Sequence, residues 1–150
     1  MDLNNFDEVI DFAIEREIEA YEFYDEAQNM AFGNAAKQML AEFAGQERRH
    51  REILEKVKKE GVADYQIKSV PNLKIAEYLI DIPFKPDMPI SDIIHLALKR
   101  EEKSYKLYSD FASKVDDAGL KRTFDILATE ELKHKNKFEI MYDEQVLSEN

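Results

Sequence analysis

Glu47-Arg48-Arg49-His50 and Glu131-Leu132-Lys133-His134 are two copies of Glu-x-x-His set 84 residues apart. Thirty residues before each copy stands another glutamate, Glu17 and Glu101, again 84 apart. Two of the three histidines fall in this pattern; the third, His95, has Asp11 at the corresponding place in the other half. The repeat supplies four carboxylates and two imidazoles, a ligand complement for two metal ions.

The residues around these six place them on helices. Phe6, Ile10, Ala13, Glu17, Ala20, Tyr24, Ala27 and Ala31 advance by alternating steps of four and three. So do Ala36, Leu40, Phe43, Glu47, His50, Leu54 and Val57. The second half repeats the pattern, from Ile90 through Glu101 and Tyr108 to Val115, and from Leu120 through Glu131 and His134 to Met141. Such spacing turns one stripe of each helix toward a shared core. It predicts helices over about 6–31, 34–60, 91–115 and 118–146. The six metal-type residues stand mid-stripe, whereas Glu15, Glu19, Glu102 and Glu130 fall beside it. His95 is also off the stripe and reads as a surface residue.

All four prolines, Pro71, Pro83, Pro86 and Pro89, fall between 61 and 90. That segment reads as a connection, with a short helix expected over 72–80. A helix of 27 residues is about 40 Å long, a distance about 12 extended residues can cover. The 61–90 segment is long enough to run back along the bundle. Ser91 is a candidate cap for the third helix, and Asp116-Asp117 separates the third from the fourth. The expected fold is therefore all-α: one domain over 1–150, a ferritin-like four-helix bundle of two antiparallel hairpins joined by a long crossover. The midpoint of 17 and 47 falls on Phe32, and that of 101 and 131 on Asp116, each in an expected turn. Residues equidistant from a turn share a height, so the two half-sites should meet at mid-bundle.

Composition agrees and excludes several functions. Of 150 residues, 44% are apolar and 35% charged, with four glycines and four prolines, as suits a soluble helical domain. The net charge is −11, or −7 once four internal glutamates are set aside. That leaves no basic stripe for nucleic acid. Cysteine is absent, which rules out disulfides, thiolate zinc sites, iron–sulfur clusters and cysteine nucleophiles in these residues and fits a reducing compartment. Met1 to Asn5 is acidic and polar, unlike a secretory signal. No apolar run approaches the roughly 18 residues of a membrane span. A cytoplasmic protein without membrane or nucleic-acid partners is expected.

One Glu-x-x-His on a helix is ordinarily a solvated pair. Here duplication, upstream glutamates, stripe positions and turn midpoints agree on a dinuclear site. Burying its charges without cations would cost several kcal/mol each. Two divalent ions balance four carboxylates, and oxygen and nitrogen donors suit iron or manganese, with zinc also admissible.

The sequence resembles the rubrerythrin-like branch of the ferritin-like di-iron carboxylate proteins. The likeness is carried by Ala13-x-x-x-Glu17-x-x-Ala20-x-x-Phe23-Tyr24 with Glu47-x-x-His50, then Ala97-x-x-x-Glu101-x-x-Ser104-x-x-x-Tyr108 with Glu131-x-x-His134. The resemblance implies two iron ions on Glu17, Glu47, His50, Glu101, Glu131 and His134, with no catalytic residue apart from these ligands. It further implies reduction of hydrogen peroxide or dioxygen, and a homodimer. Rubrerythrins carry a rubredoxin-like domain, its iron held by four cysteines, as electron source; without cysteine, a separate donor of rubredoxin type is expected. Rubrerythrins also have an extra carboxylate where this chain has Ser104. Two other functions fit the same bundle: iron oxidation with storage or delivery, and a metal-dependent sensor or interaction module. Tyr24 and Tyr108, each seven residues beyond a glutamate of the set, can hydrogen-bond the ligand carboxylates or serve as core aromatics. Ala20 and Ser104 are small residues that either admit an oxidant or let helices approach.

Overall fold

In the computed structural model, residues 2–3, 6–29, 34–60, 73–74, 78, 85 and 88–149 are described. Four helices dominate them: α1 (Phe6–Gln28), α2 (Asn34–Glu60), α3 (Ile90–Lys114) and α4 (Ala118–Glu149). Two short strands, β1 (Asp2–Leu3) and β2 (Leu73–Lys74), pair antiparallel with Asp2 opposite Lys74. The chain thus forms a ferritin-like four-helix bundle with a small two-stranded clasp.

The stripes read from the sequence are the buried faces. On α1 they run from Phe6 through Ile10, Ala13, Glu17, Ala20 and Tyr24 to Ala27, and on α4 from Leu120 to Phe138. Helix α1 packs chiefly on α2 and α3 chiefly on α4, so the bundle is built from two hairpins. The buried residues divide into two apolar clusters. One joins Ile10 at the start of α1, Leu54 late in α2, Phe111 late in α3 and Phe124 early in α4. The other joins Tyr24, Phe43, Leu96 and Phe138 from the opposite ends of the same helices. Helices α1 and α3 therefore run in opposite senses. The connection from α2 to α3 must travel the length of the bundle.

Tyr78 is the point at which that connection is seen to dock. It is buried, its ring lies edge-on to Phe12 at 6.4 Å, and its hydroxyl donates to Asp110 Oδ2 at 2.8 Å. The sequence suggested a helix over 72–80. Leu73 and Lys74 are instead extended, because their backbone groups pair with β1; the rest of that segment, Tyr78 apart, lies outside the described residues.

The third helix starts one residue before the expected 91, and Ser91 is inside it rather than its cap. Pro89 occupies the capping position at φ −59° and lends its carbonyl to the N–H of Asp92 and Ile93. Proline suits the place because it has no N–H to leave unpaired. At α4 the cap is Asp117, whose Oδ2 accepts the Leu120 N–H at 2.8 Å. Phe32, the midpoint expected in the first turn, and residues 30–31 lie outside the described residues.

Candidate metal centre

Between the two apolar clusters lies a polar layer. Glu17 of α1, Glu47 and His50 of α2, Glu101 of α3, and Glu131 and His134 of α4 are all at most 5% exposed. The helical stripe puts each one there, since the stripe positions flanking the set are apolar or small. All six sequence-predicted residues come together.

They form two overlapping sets. Glu17, Glu47, His50 and Glu131 make one; Glu47, Glu101, Glu131 and His134 make the other. Within each set, one donor atom per residue lies within 4.8 Å of all the rest. Glu47 and Glu131 belong to both sets and are placed to bridge them. The imidazoles approach the carboxylates through Nδ1: His50 is 2.7 Å from Glu131 Oε1 and 3.7 Å from Glu47 Oε2, and His134 is 3.1 Å from Glu47 Oε1.

These contacts are close, yet the groups do not satisfy one another. Glu17 Oε2, both oxygens of Glu47, Glu101 Oε2, Glu131 Oε1 and Nδ1 of both histidines are buried without a hydrogen bond of acceptable angle among the described residues. Buried polar atoms are rarely left so. Atoms that converge on a common point without pointing at each other fit cations placed among them. Oxygen and imidazole donors without thiolate fit first-row divalent ions.

The remaining atoms are tied back by neighbours. The Tyr24 hydroxyl donates to Glu101 Oε1, and the Tyr108 hydroxyl to Glu17 Oε1. Each tyrosine thus crosses from α1 to α3, or the reverse, and reaches the glutamate of the other half. His134 is held on its far side, where Nε2 meets Gln46 Oε1, and its ring stacks on Phe43 with centroids 4.4 Å apart. Gln46 escaped the sequence reading: it stands one place off the stripe, and no spacing rule links it to a histidine 88 positions away. His95, by contrast, is exposed and far from the layer in its contacts, its ring 5.9 Å from that of Tyr142.

The rubrerythrin family model matches residues 8–142. The chain belongs to the rubrerythrin family. Among solved structures, a ferritin-like diiron-carboxylate protein from Thermotoga maritima, so described, is 23% identical at a TM-score of 0.77, covering 92% of this chain and 94% of its own. A hypothetical protein from Pyrococcus furiosus is 24% identical at a TM-score of 0.71, covering 90% and 86%. These likenesses concern the fold. No curated protein matches the chain. Among the described residues of this rubrerythrin-family chain, no helix is long and apolar enough to cross a membrane.

Its buried ionisable groups perturb one another strongly. Burial raises Glu17 and Glu131 well above the usual carboxylate range, and nearby carboxylates, Glu47 for both and Glu101 for Glu131, push the same way. Burial would raise Glu47 too, but the Glu17 carboxyl and the two imidazoles facing it outweigh that and hold Glu47 low. Burial opposes charge on the histidines, yet facing carboxylates lift His50 to about 10 and His134 to about 9. Without cations, the layer keeps protons in their place. Burial and the adjacent carboxylates push Tyr24 and Tyr108 well above their usual value, so both remain protonated donors.

Proposed function

We propose that the chain holds two iron ions and reduces hydrogen peroxide or dioxygen with electrons from a separate donor. The observation that carries this reading is the pair of donor sets sharing Glu47 and Glu131, whose inward atoms lack hydrogen-bond partners among the described residues. Glu17, Glu47, His50, Glu101, Glu131 and His134 would hold the metals, and their four carboxylates balance two divalent charges. Bound iron would supply the redox chemistry that no side chain here can provide.

The protein's own groups bind, orient and exclude water. Tyr24 and Tyr108 fix one oxygen of Glu101 and of Glu17, leaving Oε2 of each turned inward. Gln46 and Phe43 orient His134 so that Nδ1 faces the carboxylates. The apolar clusters above and below keep bulk water from the layer. Reduction of peroxide to two waters consumes two electrons and two protons. With no cysteine in these residues, the electrons come from outside them, as from a rubredoxin-type donor. A homodimer is the assembly the family resemblance implies, and the cytoplasm is the location expected from the sequence.

Anaerobic loading with ferrous iron, followed separately by peroxide and by dioxygen, tests the reading. Two irons per chain and fast, peroxide-selective oxidation are expected. Preference for dioxygen with continued iron uptake would favour iron handling instead, and absence of turnover with several donors would favour a sensor. Glu131→Ala, which removes a group common to both sets, is expected to abolish bound metal. Full metal occupancy in that variant would sink the assignment.

A further inference from the structure

A cavity of about 50 Å³ lies between α1 and α3. Six of its eight described wall residues form pairs 84 residues apart, Arg16 with Arg100, Glu19 with Lys103, and Ala20 with Ser104; Tyr78 and Leu107 complete the wall. It therefore obeys the same two-fold relation as the carboxylate layer, and its arginines are the residues immediately before Glu17 and Glu101. One water needs about 10–15 Å³ of such space, so the cavity accommodates an anion of a few heavy atoms.

Its charge is opposite to that of the chain. Among the described wall residues Arg16, Arg100 and Lys103 outnumber Glu19, in a protein of net charge −11; Glu15, outside the wall, lies 3.7 Å from Arg16 Nη2. Charge concentrated in a concave site draws ions of opposite sign. Glu19 serves both arginines, 3.1 Å from Arg16 Nη2 and 3.9 Å from Arg100 Nη1. The guanidinium groups are also held in place: Arg16 lies over Phe12 at 4.7 Å and Arg100 over Phe23 at 4.9 Å. Both retain a buried Nε without a hydrogen-bond partner among the described residues. Two planar guanidinium forks lying over aromatic rings favour a planar oxyanion over a point charge.

We propose that this cavity binds one small planar oxyanion, of the carboxylate or carbonate class, between Arg16 and Arg100. The proposal does not depend on which metal occupies the neighbouring layer. Carbon-13 formate and carbon-13 bicarbonate are titrated separately into the purified protein, with line broadening followed at ionic strength held constant by chloride. Saturable binding of at least one probe, at one site per chain, is expected, and the tighter probe identifies the class. Arg16→Gln and Arg100→Gln should each weaken it at least tenfold, and Arg16→Lys by less, since the charge stays and the fork is lost. Ser104→Leu, which fills the cavity and spares both arginines, should abolish it and guards against glutamine variants that fail to fold. Three outcomes overturn the proposal: no saturation beyond the chloride control, equal binding in Arg16→Gln and Arg100→Gln, or binding that follows metal removal and not these substitutions.

Discussion

At the scale of single residues, the tyrosines and histidines carry the sharpest consequences. Each tyrosine hydroxyl occupies one oxygen of a buried glutamate. Leaving a buried acceptor unpaired costs about 1–3 kcal/mol. Tyr24→Phe and Tyr108→Phe are each expected to lose that much in urea denaturation of metal-stripped protein; parent-like midpoints would show the hydroxyls to be dispensable. The histidines set a pH dependence. In metal-stripped protein His50 and His134 titrate at about 10 and about 9, above the 6.5 of a free imidazole. Stability from their charged forms is complete below about pH 6.5 and is lost as pH rises through about 9 to 10. Glu17 and Glu131, also raised, contribute fully only below their unfolded value of 4.5 and add nothing to offset the loss. Glu47, held low, contributes above that value and is constant through this window. The melting temperature in chelator should therefore fall between about pH 7 and about pH 10. Metal affinity should rise over the same range, because the ligands must shed protons. A flat melting temperature in chelator would contradict the assignment.

At the scale of elements, the helices were legible because one-sided burial imposes a period that alternating steps of four and three reproduce. Every glutamate and histidine placed on those stripes is buried. The same rule describes only one seam per helix, and so it missed the second buried line of Phe12 and Phe23 on α1 and of Ile93, Leu96 and Leu107 on α3. Those residues depend on what covers a second side, as Tyr78 covers Phe12, and a helix's own sequence does not encode its neighbours. Gln46, and which glutamate each tyrosine bonds, escaped for a related reason: spacing gives height along the bundle but not the rotation of one hairpin against the other. Two substitutions separate seam from cap. Leu54→Ala, at a fully buried site, should cost about 2–5 kcal/mol by denaturant titration. Asp117→Ala, which unties the Leu120 N–H, should cost about 0.5–2 kcal/mol. If the two losses matched, the cap would be doing more than closing a helix end.

At the scale of the molecule, the polar layer divides one core into two. Metal bound there stabilises only the folded chain, by about 2.7 kcal/mol when free metal is about a hundredfold above its dissociation constant. Anaerobic ferrous iron should raise the melting temperature and chelator reverse it; an unchanged transition would place the metal elsewhere. The composition of the two sets has a consequence for the origin and assembly of the fold. The first hairpin brings Glu17, Glu47 and His50 to one set but needs Glu131; the second brings Glu101, Glu131 and His134 to the other but needs Glu47. Each half is three parts complete and borrows its fourth part from its twin. Such reciprocity is what a symmetric pair of identical hairpins would show after fusion into one polypeptide. It would also make any cation bound there a proofreader of folding, since a hairpin that has not met its partner leaves each donor set one short.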